Sequence, residues 1–160
     1  MKNIKQIIKE ELNEDKFISL KIFKDRLCEE QKKDTLSSYN EILNNSDLNW
    51  FLLKTNKYKN VNISYSDLEN YIKWNNGLWY NGIWKDGYWN NGIWYNGIWN
   101  YGTWQSGIWN YGEWIDGYWD SGYWLGGKWN KGEIYDKNLF KSVIITLNPA
   151  EYYKRNNIKQ

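Results

Sequence analysis

The side chains that ordinarily carry covalent or metal chemistry are scarce in this sequence of 160 residues, which contains no histidine and one cysteine, Cys28. Without an imidazole there is no base for a Ser-His-Asp or Cys-His arrangement and no conventional zinc site. Cys28 sits beside Leu27 in an apolar-periodic stretch and reads as a buried or half-buried thiol rather than a nucleophile. A lone cysteine also excludes an internal disulfide. Three carboxylates, Asp116, Asp120 and Asp136, are the remaining candidates for acid-base work, but each stands where the chain has turn chemistry, and solvated corner residues are the better reading. The recurring Gly-x-x-x-x-Gly spacing lacks the Lys-Ser/Thr of a phosphate loop. The expectation is a protein that is not an enzyme and has no catalytic, cofactor or metal set.

What the sequence offers instead is aromatic: 13 tryptophans and 14 tyrosines. Exposed, such rings stack on sugar faces or anchor protein interfaces. Whether they are exposed depends on their spacing. Residues 75–134 are a five-residue unit written twelve times, beginning NNGLW, YNGIW, KDGYW, with glycine third in every copy and tryptophan closing eleven of them; Ile134 closes the last. Trp74 lies one period upstream of Trp79, so the repeating geometry is expected to begin there.

A period of five fits neither helix nor flat strand, and a glycine in each unit would cost a helix about 1 kcal/mol every time. Sustained self-similarity indicates a solenoid whose units bury their apolar side only by stacking on neighbours. Gly-x-Trp has the alternation of a very short strand, placing glycine and tryptophan on one side and the middle residue on the other. The middle set includes Thr103, Glu113 and Lys128 and therefore belongs outside. Asn, Asp or Ser before glycine supplies the corner.

This pattern resembles that of the pentapeptide-repeat proteins, whose motif puts a small residue two before a central Leu or Phe, both pointing inward. Gly77 and Trp79, and the same pair in each later copy, take those places. Shrinking one as the other grows would roughly conserve interior volume. The resemblance implies a right-handed, four-sided β-helix of about twenty residues per coil and about three coils. On that period Asn90, Asn110 and Asn130 form one column and Tyr95, Ile115 and Tyr135 another, the like-on-like ladders that stacked strands favour. A three-sided coil would mix Asn90 with Gln105, Asp120 and Tyr135, and the four-sided arrangement is preferred.

With the tryptophans inside, Tyr80, Tyr88, Tyr95, Tyr118 and Tyr123 are the aromatic residues left for contact. They suit a protein partner or, in an alternative reading, a glycan held by tyrosines and asparagine ladders. Nucleic acid is disfavoured, because the repeat carries 3 basic against 6 acidic residues. Some pentapeptide-repeat proteins mimic DNA toward type II topoisomerases, but that requires a far more acidic surface.

The flanks read as caps, giving an α+β chain: a helical N-terminal domain over 1–73, the solenoid over 74–136 and a strand-helix cap over 137–160. Ile4, Ile7, Ile8 and Leu12 form the stripe of an amphipathic first helix, and Leu20, Phe23, Leu27 and Leu36, Tyr39, Leu43 continue helical spacing. Val61 to Tyr65 reads as a strand, and Ser66 with Glu69 as a capping box opening a helix through Leu68, Tyr71 and Ile72. SVIITL, from Ser142 to Leu147, reads as a strand; Asn148 caps a closing helix with Pro149 in its first turn. No apolar run reaches membrane-spanning length and no signal-peptide pattern opens the chain, so no membrane association and a cytoplasmic or virion location are expected.

The expected function is a structural scaffold or protein-interaction protein. Gly/Trp tracts of this kind look like those of tailed bacteriophages, so virion components and self-assembly are the partners the resemblance implies. If the indoles line the tube, tryptophan emission will be blue-shifted and resist quenching by iodide in the native protein; red-shifted, readily quenched emission would place the rings in water.

Overall fold

A computed structural model of the protein describes residues 16–66 and 70–159. The amphipathic stripe over 1–15, and Leu68 and Glu69, lie outside the described residues. The ten repeat units over 80–129 each contribute a two- or three-residue strand ending in tryptophan, β3 (Ile83–Trp84) to β12 (Lys128–Trp129), and the two residues that follow turn the corner; the first unit and the last, which closes on Ile134, lie in longer strands.

Strand pairing sets the size of the coil. Trp74 pairs with Trp89, Trp79 with Trp94 and Trp84 with Trp99, all parallel, so each residue lies beside the one fifteen positions on. The β-solenoid is therefore three-sided and makes about four turns, which corrects the four-sided, twenty-residue coil expected from the ladders. Its first face carries Trp74, Trp89, Trp104, Trp119 and Ile134; its second Trp79, Trp94, Trp109 and Trp124; its third Trp84, Trp99, Trp114 and Trp129.

The indole itself accounts for the triangle. From Trp74 to Trp124 successive rings around a coil meet edge to face, with centroids 5.8–6.0 Å apart and planes 70–78° apart. Trp74 also reaches Trp84 across the coil at 6.3 Å, so three rings close on one another at the axis. Four rings on a square would leave the centre empty, and an unfilled core forfeits contacts on every side. Along the axis each ring stacks on the one a coil away at 4.5–5.1 Å, within 1–9° of parallel. Trp74 through Trp119 are fully buried.

Glycine serves the backbone more than the interior volume. Gly102 has φ +122, and a Cβ there would stand 2.3 Å from the carbonyl oxygen of Gly87 in the preceding coil. That contact lies along the stacking direction, where Ile98 N–H donates to Gly82 O at 2.9 Å and Asn100 N–H to Trp84 O at 2.9 Å, a pattern repeated up the rod. A methyl at this place would hold the coils apart.

Both ends of the stack are covered. The N-terminal part comprises α1 (Leu20–Arg26), a 3-10 turn over Glu29–Asp34, α2 (Thr35–Asn44) and a second 3-10 turn over Asn49–Leu52, followed by β1 (Lys57–Ser66). β1 lies antiparallel on β2 (Tyr71–Asn81), the long strand that bends from the first face onto the second. Tyr71 and Ile72 thus open a strand, not the helix expected of them, because Ile72 pairs with Gly87 on the ladder and is buried there. Aromatic rings close all three columns: Phe51 against Trp74, Tyr58 stacked on Trp79 at 5.7 Å and Trp50 edge-on to Trp84 at 5.2 Å. Asn56, fully buried, accepts the Ile83 N–H on Oδ1 at 2.8 Å, the place a glycine carbonyl fills one coil later.

At the other end β13 (Gly132–Asp136) continues the first face, and β14 (Lys141–Ile145) pairs with it antiparallel. The helix α3 (Pro149–Arg155) follows, with Asn148 accepting from Glu151 N–H at 2.9 Å as its cap. This is the strand and helix expected from SVIITL and Asn148-Pro149. Asp136, buried at the base of the hairpin, ties the cap together: it accepts from the Tyr152 hydroxyl at 2.6 Å and from the amides of Asn138 and Leu139.

Two predictions follow the coil and its cap. Gly102→Ala will lower stability by at least about 2 kcal/mol, whereas Gly126→Ala, at a corner without positive φ, will cost no more than about 1 kcal/mol, as read from urea unfolding. The Tyr152 hydrogen bond, with the two amides, holds the Asp136 carboxyl below its ordinary range. Its stabilisation is complete above the unfolded aspartate value near pH 4 and is lost as pH falls through the lowered folded value. Amide exchange in β14 and α3 will therefore accelerate in acid, and Asp136→Asn will accelerate it at neutral pH and remove that acid dependence.

Candidate functional site

A core occupied by one residue type leaves the outward columns as the places where coils differ. Five tyrosines are the expected contact residues, and the fifteen-residue period distributes them. Tyr80 and Tyr95 stack on each other at 5.3 Å along the edge between the second and third faces. Tyr123 stands on the second face in the last coil, 64 % exposed. Tyr88 and Tyr118 lie on the first face, two coils apart with Thr103 between them. The five therefore divide between two flanks of the rod.

The first flank is a trough. Its floor is the column Gly87, Gly102, Gly117, and its volume is about 460 Å³. One wall is the strand column Tyr88, Thr103, Tyr118, Glu133. The other is the corner column Asp86, Tyr101, Asp116, Lys131. Asp86 and Asp116 each accept the amide of the following glycine, at 2.7 and 2.8 Å, which fixes the corner, and Lys131 pairs with Asp116 at 3.3 Å. Tyr88 donates to Gln105, which in turn donates to Asp120 at 2.6 Å, so this wall is braced across three coils. Lys73 lies over the Tyr88 ring at 5.6 Å. Burial, with the negative charges of Asp120 and Glu133, pushes the Tyr118 hydroxyl above its ordinary value, so it stays a neutral donor.

The second flank is apolar. Tyr123 on the second face, Tyr80, Tyr95, Tyr111 and Leu125 on its edge with the third, and Ile83 on the third face itself are each at least 40 % exposed. Leu78, Ile93 and Ile108 fill the column between them, half-buried. Charge enters this side at its two ends: exposed Lys57 and Lys59 of β1 lie beside Asn81 and Leu78, and in the last two coils of the third face Lys128 pairs with Glu113 at 3.2 Å. An Asn130 hydrogen bond and the lysine hold the Glu113 carboxyl below its ordinary value.

Asp86, Tyr101 and Tyr111 bear on these flanks and were not among the residues expected, and Asp116 was expected only as a solvated corner residue. The signal that finds them is the period: at fifteen, Asp86, Tyr101, Asp116 and Lys131 fall into one column, and at twenty they scatter. Asp116, Asp120 and Asp136 are not brought together as an acid-base pair, since each has its own partner in a corner or cap. Cys28 is a half-buried free thiol that accepts from Asn62 Nδ2 at 3.8 Å. Among the described residues no group of three His, Cys, Asp or Glu converges, and no helix is long and apolar enough to cross a membrane.

No protein-family model, curated protein or solved structure matches this chain. The five-residue unit is shared with the pentapeptide-repeat proteins that the sequence resembles; the three-sided coil departs from what that resemblance implied.

Removing the brace should loosen one wall without touching the core. Gln105→Ala will destabilise the rod by about 1 kcal/mol, measured by urea unfolding, and will leave tryptophan emission unchanged.

Proposed function

We propose that the protein is a non-enzymatic scaffold, a rigid capped rod whose apolar flank binds another protein. The observation that supports this most is the gathering of Ile83, Tyr80, Tyr95, Tyr111, Tyr123 and Leu125 on one side of the rod. Contiguous exposed apolar surface is uncommon on proteins that act alone, and tyrosine is a favoured anchor at interfaces. With both ends of the stack covered by cap residues, contact is lateral. With charge confined to its two ends, the middle of this flank complements an apolar protein surface rather than a polyanion.

The setting the sequence resemblance suggests is the particle of a tailed bacteriophage, with a virion protein as the partner. Co-sedimentation with purified particles tests both parts. The wild-type chain is expected to sediment with the particle, and a Tyr123→Ser, Leu125→Ser double variant to remain in solution with unchanged circular dichroism. Sedimentation of both proteins, or of neither, would defeat the flank as the contact. Concentration-dependent dimers abolished by the same variant would name a second copy as the occupant instead.

A further inference from the structure

The trough on the first face has an order that the apolar flank lacks. Level by level, Asp86 faces Tyr88 across Gly87, Tyr101 faces Thr103 across Gly102, and Asp116 faces Tyr118 across Gly117. The first and third levels are alike, the second reverses the side on which the ring stands, and the fourth, Lys131 facing Glu133 across Gly132, carries no ring and ends the pattern. Levels are one strand spacing apart, about 4.8 Å, so the pattern repeats about every 9.6 Å.

A polymer matched to this pattern advances by about one level per unit and turns over at each step. Straight, equatorially linked sugar chains do this: successive rings are related by a half-turn, so like edges return to the same wall at every second ring. Tyrosines supply faces for the C–H surface of a sugar, and carboxylates accept from its hydroxyls. The Asp86 carboxylate gives Oδ1 to the Gly87 amide, and its Oδ2 has no partner among the described residues.

The alternatives fit less well. A peptide strand gains affinity by pairing with an unpaired sheet edge, and this trough lies on the face of a sheet whose ladder bonds already run from coil to coil. Asp86, Asp116 and Glu133 outnumber Lys131 and Lys73 along the walls, which disfavours acidic or sulfated chains. Pairing of Asp116 with Lys131 leaves no dense acidic cluster for a polycation.

We infer that the trough floored by Gly87, Gly102 and Gly117 is a binding groove for a straight, uncharged oligosaccharide, gripped by Tyr88, Tyr101, Tyr118 and Asp86. This site is on the opposite flank from the proposed protein contact, and each stands or falls without the other.

Titration calorimetry on the full chain, with cellohexaose, N-acetylchitohexaose, maltohexaose and oligolysine as probes, tests it. At least one of the two straight hexaoses is expected to bind, with maltohexaose, whose rings do not alternate, at least about tenfold weaker. Tyr101→Ala, at an exposed rim position, is expected to weaken binding about tenfold or more, while Tyr111→Ala on the other flank leaves it within about twofold. Asp86→Asn, which keeps the acceptor for the Gly87 amide, is expected to weaken binding without unfolding the corner. Binding of neither straight hexaose, equal loss in Tyr101→Ala and Tyr111→Ala, or Tyr101-dependent binding of oligolysine alone would each overturn the assignment.

Discussion

The structure depends on a coincidence of lengths. Hydrogen-bonded strands stand about 4.8 Å apart, and the indoles of successive coils stack at 4.5–5.1 Å. A flat ring carried once per strand therefore makes its stacking contact at the spacing the backbone already imposes, and neither ladder strains the other. Burying each indole removes roughly 200 Å² from water, worth about 5 kcal/mol as an upper bound. Glycine protects the same length from the other side, because a side chain at Gly102 would push against the carbonyl of Gly87.

A stack of this kind has no internal reason to stop, and its ends expose both aromatic faces and unpaired backbone groups. The caps answer each need separately. Phe51, Tyr58 and Trp50 close the three aromatic columns with one further ring each, and Asn56 offers a side-chain carbonyl where the next coil would offer a glycine one. At the far end Ile134 replaces tryptophan on the first face, and the Trp129 indole donates to Ile145 O at 3.0 Å. The repeat is thereby made finite by residues that imitate it imperfectly.

Much of this was legible in the sequence. The unit, its inward tryptophans, the start at Trp74, the strand near Val61 and the closing strand and helix all follow from spacing and cap chemistry. The number of sides did not. Like-on-like columns at twenty residues, such as Asn90 with Asn110, looked more orderly than the mixed column at fifteen. Yet mixed neighbours bond: Gln105 donates to Asp120, and Lys131 reaches Asp116. Outward ladders are satisfied by complementary pairs as readily as by identical ones, so similarity along a column is a poor gauge of coil size. Shape is the better gauge, since three edge-to-face indoles fill a triangle. Tyr71 and Ile72 are strand rather than the helix expected of them for a related reason, because their local spacing gave way to their place on the first coil. Both flanks became visible only once the period was known, as Asp86, Tyr101 and Asp116 belong together only at fifteen.

The division between a uniform interior and a varied exterior bears on what the rod is for. Each unit spends glycine and tryptophan on geometry, leaving its other three residues free to vary without disturbing the stack. Unconstrained drift would scatter their chemistry around the rod. Instead, apolar residues collect on the second face and its outer edge, while rings and carboxylates alternate in order along the first. Neither arrangement serves the core, which the tryptophans already fill, nor the ends, which the caps already close. Side chains sorted by flank in this way are what the two proposed contacts would require, and the triangular tube keeps the two flanks at fixed separation and in fixed register.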